Sequence, residues 1–218
     1  MRTVTIAEQS ASSADDAEAL VVNPQERRSS RRQRAIMRVA KLVSRQGEFV
    51  CVLRDVSSGG VGLRAFHDLP LSEDLSLVLS NGASFPLRHV RGGPKGPSFA
   101  FHEPVDVLAI LEEPSPYRKR GLRFEVSAPM EVIVGGSSHE AIALNLSQQG
   151  VRIECDARFA IDQPVALSSP FLPDIDAKVR WRGDGEYGLV FDTTFSLHDF
   201  STALVELQCP SLLPTTKA

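Results

Sequence analysis

Asp55-Val56-Ser57-Ser58-Gly59-Gly60 and Asn145-Leu146-Ser147-Gln148-Gln149-Gly150 are one six-residue pattern, D/N-x-S-x-x-G, written twice at an offset of 90 residues. The agreement extends outward from it. Val61 falls on Val151, Leu63 on Ile153, and Leu75 and Leu77 on Val165 and Leu167. Phe85 falls on Ile175, and Phe99 and Phe101 on Leu189 and Phe191. At an offset of 91, Arg91-Gly92 meets Arg182-Gly183 and Arg32 meets Arg123. Two copies at a period near 90 indicate two domains of one kind rather than a repeat array.

Each copy clarifies the other. In the second, Phe124, Val126, Ala128, Met130, Val132 and Val134 alternate with period two, as a half-buried strand does. In the first, Ile36, Val39 and Val43 would also suit a helix, and the repeat decides for a strand over 37–43. Ile142, Leu144 and Leu146 alternate into the second turn, and Val151 and Ile153 alternate out of it. Apolar runs at 165–167, 175–181 and 189–191 follow. Asn81-Gly82 and Gly183-Asp184-Gly185 separate such runs. About six short strands per copy, with regular turn signals, favour an antiparallel barrel or sandwich over a βαβ fold.

A helix is expected at the end of each copy, over Val105–Glu112 before Pro114 and Pro116, and over Leu197–Leu207. In the second, Phe200, Leu204 and Leu207 form one apolar stripe. A barrel this small has a modest core, and a helix across its open end would add burial. The expected organisation is an acidic tail over 1–25, a first domain over 26–113, a linker at 114–117, a second domain over 118–210 and a tail at 211–218. The first 26 residues carry Glu8, Asp15, Asp16, Glu18 and Glu26 against Arg2, a composition typical of disordered chain.

The bulk composition excludes several function classes. The chain has 218 residues and a formal net charge of −3, a poor balance for a general DNA binder. Cys51, Cys155 and Cys209 are odd in number and far apart, so neither a disulfide framework nor a zinc site is expected; they read as small core side chains. No apolar run approaches the roughly 20 residues that span a bilayer, and no secretion signal is evident. The expected location is the cytoplasm. His67, His89, His102, His139 and His198 are scattered and read as surface or strand residues. No nucleophile elbow, P-loop or G-x-G-x-x-G occurs, so the chain is not expected to be an enzyme. Trp181, in Val179-Arg180-Trp181-Arg182, reads first as core, with a base-stacking surface as the alternative.

Two constellations carry chemistry. Arg27-Arg28-Ser29-Ser30-Arg31-Arg32 contains two overlapping R-x-x-x-R pairs just ahead of the first strand. The arginine fork makes bidentate bonds to phosphate or to the O6/N7 edge of guanine, and its flat face stacks on bases. In the turn, Asp55 can accept from guanine N–H groups, Ser57 offers a hydroxyl, and Gly59 and Gly60 permit left-handed backbone and close approach to a ligand. Either motif alone is weak, since an Asp-Ser-Gly turn is usually structural and a charge run is usually a solvated face.

Together, and recurring in a second copy, the motifs resemble those of the PilZ family of bacterial cyclic-di-GMP receptors. The resemblance covers both repeats. It implies an all-β fold with minor helix: two tandem six-stranded antiparallel β-barrels, each with a C-terminal helix. It also implies a cyclic-di-GMP site formed by Arg27, Arg28, Arg31, Arg32, Asp55, Ser57 and Gly60 in the first domain. In the second domain Asn145, Ser147 and Gly150 match, but Lys119 and Arg123 give K-x-x-x-R. Lysine neither forks nor stacks as arginine does. The expectation is therefore a second-messenger receptor with cyclic di-GMP as ligand and no cofactor or metal. It binds mainly through the first domain and signals to a protein partner by ordering the Arg27–Arg34 segment. The alternatives are a degenerate PilZ adaptor that binds protein and no nucleotide, and a nucleic-acid binder using the basic stretch 27–45. The sequence does not choose among motility, exopolysaccharide, pili and transcription as the output, nor give the oligomeric state.

Overall fold

The computed structural model describes residues 33–70, 74–92, 96–112 and 121–213. In the first half, β1 (Gln33–Ser44), β2 (Gly47–Ser57), β3 (Gly60–Arg64), β4 (Leu75–Val78), β5 (Ser84–Arg91) and β6 (Ser98–Phe101) precede α1 (Val107–Glu112). In the second, β7 (Phe124–Val134), β8 (Ser137–Ser147), β9 (Gly150–Glu154), β10 (Pro164–Ser169), β11 (Leu172–Gly183) and β12 (Glu186–Phe191) precede α2 (Leu197–Gln208). Each set of six closes into an antiparallel barrel. The neighbour orders, β1-β2-β3-β6-β5-β4 and β7-β8-β9-β12-β11-β10, are the same topology. The expected all-β class, with two tandem six-stranded barrels each followed by a helix, is the observed one.

Closure removes the exposed edges of an open sheet. Alternation supplies each core: Leu53, Leu63, Leu77, Leu87 and Phe99 point into the first barrel, and Met130, Val132, Ile153, Val165, Val179 and Leu189 into the second. Residues 37–43 lie in β1, so strand prevails over the weak helical spacing there. The β7–β8 hairpin turns on Gly135 and Gly136, at φ 57° and 85°, the left-handed pair that matches strand twist in a two-residue loop.

The helices depart slightly from expectation. α1 begins at Val107 because Val105 N–H still donates to Ser58 O at 2.9 Å, and Asp106 Oδ1 caps Leu108 N–H at 3.0 Å. Arg38 Nη1 donates to Ile110 O at 3.0 Å, near the other end of α1. α2 starts at an N-cap Ser196, whose Oγ accepts from Asp199 N–H at 3.1 Å. It does more than cover its own barrel. Phe200, Ala203 and Leu204 join the second core, while Val205 joins the first.

The barrels meet at β2. Phe49, Val50, Cys51, Val52 and Leu53 are all buried, which one core face cannot explain. Val50 packs with the second core, so β2 is covered on both faces. Glu48 ties this junction. Its Oε2 accepts from Lys41 Nζ at 2.6 Å and from Glu125 N–H at 2.7 Å. Gln208 of α2 grips the Glu48 backbone, accepting from its N–H and donating to its carbonyl, both at 2.8 Å. Lys41 Nζ also stands 5.2 Å from the Phe124 ring centroid.

Cys51 and Cys155 are buried and Cys209 is half-buried, all as free thiols. Burial pushes the Cys51 thiol far up, so it stays protonated. The residues expected as the 114–117 linker and the 1–25 tail lie outside the described residues.

Candidate functional site

The two turns are built alike. Ser57 pairs with Gly60 across a two-residue hairpin, and Ser147 with Gly150. Ser57 Oγ donates to Gly60 O at 3.3 Å, and Ser147 Oγ to Gly150 O at 3.1 Å. Both serines therefore have a local bond that stitches the hairpin. The glycine requirement is steric, and the expected left-handed backbone is absent: neither Gly59 nor Gly60 has positive φ. A Cβ on Gly60 would stand 2.5 Å from Phe99 O, and one on Gly150 would collide with Leu189 O. Close approach of β3 to β6, and of β9 to β12, excludes any side chain there. Gly59 has open space around it, and Gln149 fills its place in the second copy.

The motif's first residue is set by a bulge. Leu53 pairs with Leu63, but Asp55 pairs with Gly62, so Arg54 is an extra residue on β2. Ala143 pairs with Ile153 and Asn145 with Arg152, which makes Leu144 the extra residue on β8. Period two alone would send Asp55 and Asn145 inward after Leu53 and Ala143. The bulge shifts the alternation, and both leave the barrel core for the outer face.

A second pair of bulges sits across the barrel. Val179 pairs with Leu189 but Trp181 with Gly188, leaving Arg180 extra; His89 pairs with Phe99 but Arg91 with Ser98, leaving Val90 extra. Trp181 is thus turned out of the core its spacing predicts and is 41% exposed. The same register aligns Arg91 with Trp181, so the offset of 91 inferred from Arg91-Gly92 and Arg182-Gly183 does not hold there. The offset of 91 at Arg32 and Arg123 does: Gln33 pairs with Val56 and Phe124 with Leu146, and each arginine immediately precedes its strand.

These registers draw one row across each barrel. In the second it is Glu125, Asn145, Arg152, Gly188 and Trp181 on β7, β8, β9, β12 and β11. In the first, the same positions are Arg34, Asp55, Gly62, Ser98 and Arg91. The second row opens on a cavity of about 620 Å³, a size suited to a small-molecule ligand. Asn145, Ser147, Gly150, Arg123, Arg152, Arg180 and Trp181 line it, with Val39, Val50 and Ser80 of the first barrel and Leu197 and Phe200 of α2 completing the wall.

The electrostatics suit an anion. The lining contains three arginines and no carboxylate residue. Arg152 is steadied by Glu186 from outside it, with Nε to Oε2 at 2.9 Å and a second, shorter bond through Nη2. Arg180 Nη1 reaches Asp162 Oδ1 at 3.2 Å in an exposed pair, which is weak in water. Arg123 is exposed and has no ion pair among the described residues. Asn145 is only 7% exposed, and its carboxamide has no hydrogen-bond partner among the described residues. It lines the cavity, where a carboxamide offers both donors and an acceptor to a ligand.

The first barrel differs at the same place. Arg54 Nε bonds Asp55 Oδ2 at 2.7 Å, and this pair crowds the space where a Cβ on Gly62 would stand. Arg27, Arg28, Arg31, Arg32 and Lys119 lie outside the described residues. His67 departs from the surface-or-strand expectation: it is buried in a bend against Phe49, with ring centroids 5.6 Å apart. Among the described residues no cluster of His, Cys, Asp and Glu could hold a metal ion, and no helix is long and apolar enough to cross a membrane.

The chain is a duplicated six-stranded barrel whose second strand-turn motif faces an arginine-lined cavity. The model of the PilZ domain matches residues 25–106 and 117–207, and the chain belongs to that family. No curated protein matches it. Among solved structures it is similar to the Borreliella burgdorferi PlzA protein in complex with c-di-GMP, at 11% identity, covering 79% of this chain and 87% of that one with a TM-score of 0.34. Bacillus subtilis MotI/DgrA, an inhibitor of motility, is similar at 13% identity, with 77% and 93% covered and a TM-score of 0.34. Escherichia coli YcgR in complex with c-di-GMP is similar at 11%, with 76% and 80% covered and a TM-score of 0.33.

Proposed function

We propose that this protein is a cytoplasmic, non-enzymatic receptor for cyclic di-GMP. The carrying observation is the second barrel's cavity, which joins the PilZ motif residues Asn145, Ser147 and Gly150 to Arg123. Cyclic di-GMP has two phosphates and two guanines. Arg123, with Lys119 in the adjoining sequence, would meet phosphate or a guanine edge, and Asn145 would bond a base edge. Gly150 keeps the backbone close without a side chain in the way.

The motif also supports a site on the first barrel, where Arg27, Arg28, Arg31 and Arg32 would grip the ligand with Asp55, Ser57 and Gly60. The arginine pattern favours the first barrel as the principal site. The cavity with Asn145 in its lining and the Arg54–Asp55 pair favour the second, and we assign the principal site there. The wall contributed by the first barrel and α2 gives a route to output, since a ligand seated there touches both barrels and alters the surface shown to a protein partner. The boundaries 26–113 and 118–210 stand as the two family modules of this reading.

Titration calorimetry of the full chain with cyclic di-GMP tests it. Saturable heat is expected, with a competing linear dinucleotide binding more weakly. An absence of heat at high protein concentration would remove the receptor reading in favour of an adaptor that binds protein alone. Cleavage by trypsin in the Arg27–Arg34 segment is expected to slow on adding ligand; unchanged cleavage counts against coupling to that segment.

A further inference from the structure

Away from the motif turns, the two barrels match in register at a constant offset of 90. Lys41 pairs with Val50 as Glu131 pairs with Glu140. Val39, Val52 and Arg64 cross β1, β2 and β3 as Pro129, Ile142 and Glu154 cross β7, β8 and β9. On the first barrel this outer face is an interface. Val50 belongs to the second core, and Val39 packs against that core. Val52 is buried, and Lys41 is buried between Glu48 and the Phe124 ring. On the second barrel the same positions are bare: Pro129, Glu131, Glu140 and Glu154 are exposed, and so is Ile142 at 41%.

The bare face forms one wall of a groove of about 910 Å³. Glu131, Glu140, Glu154 and Asp156 line it, with no arginine or lysine. None of the four has an ion pair among the described residues. Glu131 and Glu140 are direct cross-strand partners, and like charges so placed repel. The barrel by itself gains nothing from that pair, whereas a cationic occupant would turn the repulsion into attraction. The charge also selects the occupant. An apolar cover like the one on the first barrel would strand the carboxylates away from water. A second copy is a poor candidate, because the Phe124 ring that covers the first barrel is already buried within each copy.

We propose that the outer face of β7, β8 and β9 docks a partner protein through a segment in which arginine or lysine side chains flank an apolar one. The apolar side chain would rest on Ile142 and Pro129, with its cationic neighbours meeting Glu131 and Glu140 on one side and Glu154 on the other. The proposal stands apart from the cyclic-di-GMP reading, since the groove and the arginine-lined cavity share no lining residue.

The probe is a fluorescein-labelled peptide, Arg-Arg-Leu-Arg-Arg, titrated with the full chain in the absence of cyclic di-GMP and read by fluorescence anisotropy. Saturable binding that weakens with added salt is expected. Joint Glu131→Gln and Glu140→Gln substitution is expected to weaken it on the order of tenfold, the scale of losing one close charge pair across an interface. Ile142→Ser should weaken it as well. Asp174→Asn with Asp176→Asn, exposed carboxylates of β11 outside the groove, should leave it unchanged. Without any peptide, Glu140→Gln is expected to raise the urea midpoint by relieving the like-charge pair. A lowered midpoint would show that the carboxylates serve the fold and would overturn the proposal. So would the absence of saturable binding, or an equal loss in the Asp174 and Asp176 variant, which would reduce the attraction to overall charge. Concentration-dependent dimerisation in sedimentation, abolished by Ile142→Glu, would overturn it in favour of a second copy on this face.

Discussion

The two barrels share topology, the bulges at Arg54 and Leu144 and at Val90 and Arg180, and the Ser-to-Gly hairpin bond, yet they present different outer faces. On the first, Asp55 is held by Arg54 and the next strand position is Gly62. On the second, Asn145 lines the cavity, the next position is Arg152, and the row ends in Trp181 against Gly188. The scaffold was duplicated while the surface was not. Bulges explain how both statements hold. They fix which positions leave the core, and they leave the side chains there free to differ.

Breaking the shared part should affect both barrels equally. Gly60→Ala and Gly150→Ala each force a Cβ toward a backbone carbonyl. Each is expected to cost about 1–3 kcal/mol, as overpacking does, read as a lowered midpoint in urea. Gly59→Ala, in open space, is expected to change stability by under about 0.5 kcal/mol. A Gly59 effect as large as Gly60's would refute the steric account of the motif glycine.

The junction is the next test. Glu48→Ala removes the acceptor shared by Lys41 and Glu125 and leaves the buried Lys41 without its carboxylate. A loss of about 1–2 kcal/mol is expected, the usual consequence of stranding such a donor. Because the node links the barrels, the unfolding transition should broaden or split rather than simply shift. A single, equally sharp transition at the parental midpoint would show that the node couples nothing.

The smallest effect is a pH dependence confined to the first half. Burial pushes the His67 imidazole below its ordinary range, against the opposing pull of the Asp68 carbonyl and charge. Nδ1–H donates to Asp68 O at 2.6 Å, and Nε2 is buried without a partner. The folded state therefore favours the neutral ring, whereas the unfolded chain takes up a proton as pH falls through about 6.5. Stability from this group is present above that pH and declines below it. The drop in thermal midpoint between pH 7.5 and 5.5 should shrink in His67→Gln; an equal drop would remove His67 as a contributor.

Much of this was legible in the sequence. The repeat gave the strand count and resolved β1, because Phe124–Val134 alternates cleanly where Ile36–Val43 does not. What stayed hidden follows from bulges and from packing between the barrels. Trp181 reads as core because period two cannot register an extra residue at Arg180. Arg152, in the row beside Asn145, lies outside both motifs and carried no local signal. The double burial of β2 did have one: Phe49-Val50-Cys51-Val52-Leu53 is an unbroken apolar run, the pattern of a strand covered on both faces. The paired motif itself was legible. That Asp55 is held by Arg54, a neighbour the motif does not include, was not.

The proposed principal ligand site faces the second barrel's row. Full-chain titrations with cyclic di-GMP on Asn145→Ala and Asp55→Ala test it most directly. A loss of about tenfold or more is expected for Asn145→Ala, the scale of one hydrogen bond to a ligand, and a much smaller loss for Asp55→Ala. Parental affinity in Asn145→Ala with binding abolished in Asp55→Ala would contradict it and return the site to the first barrel.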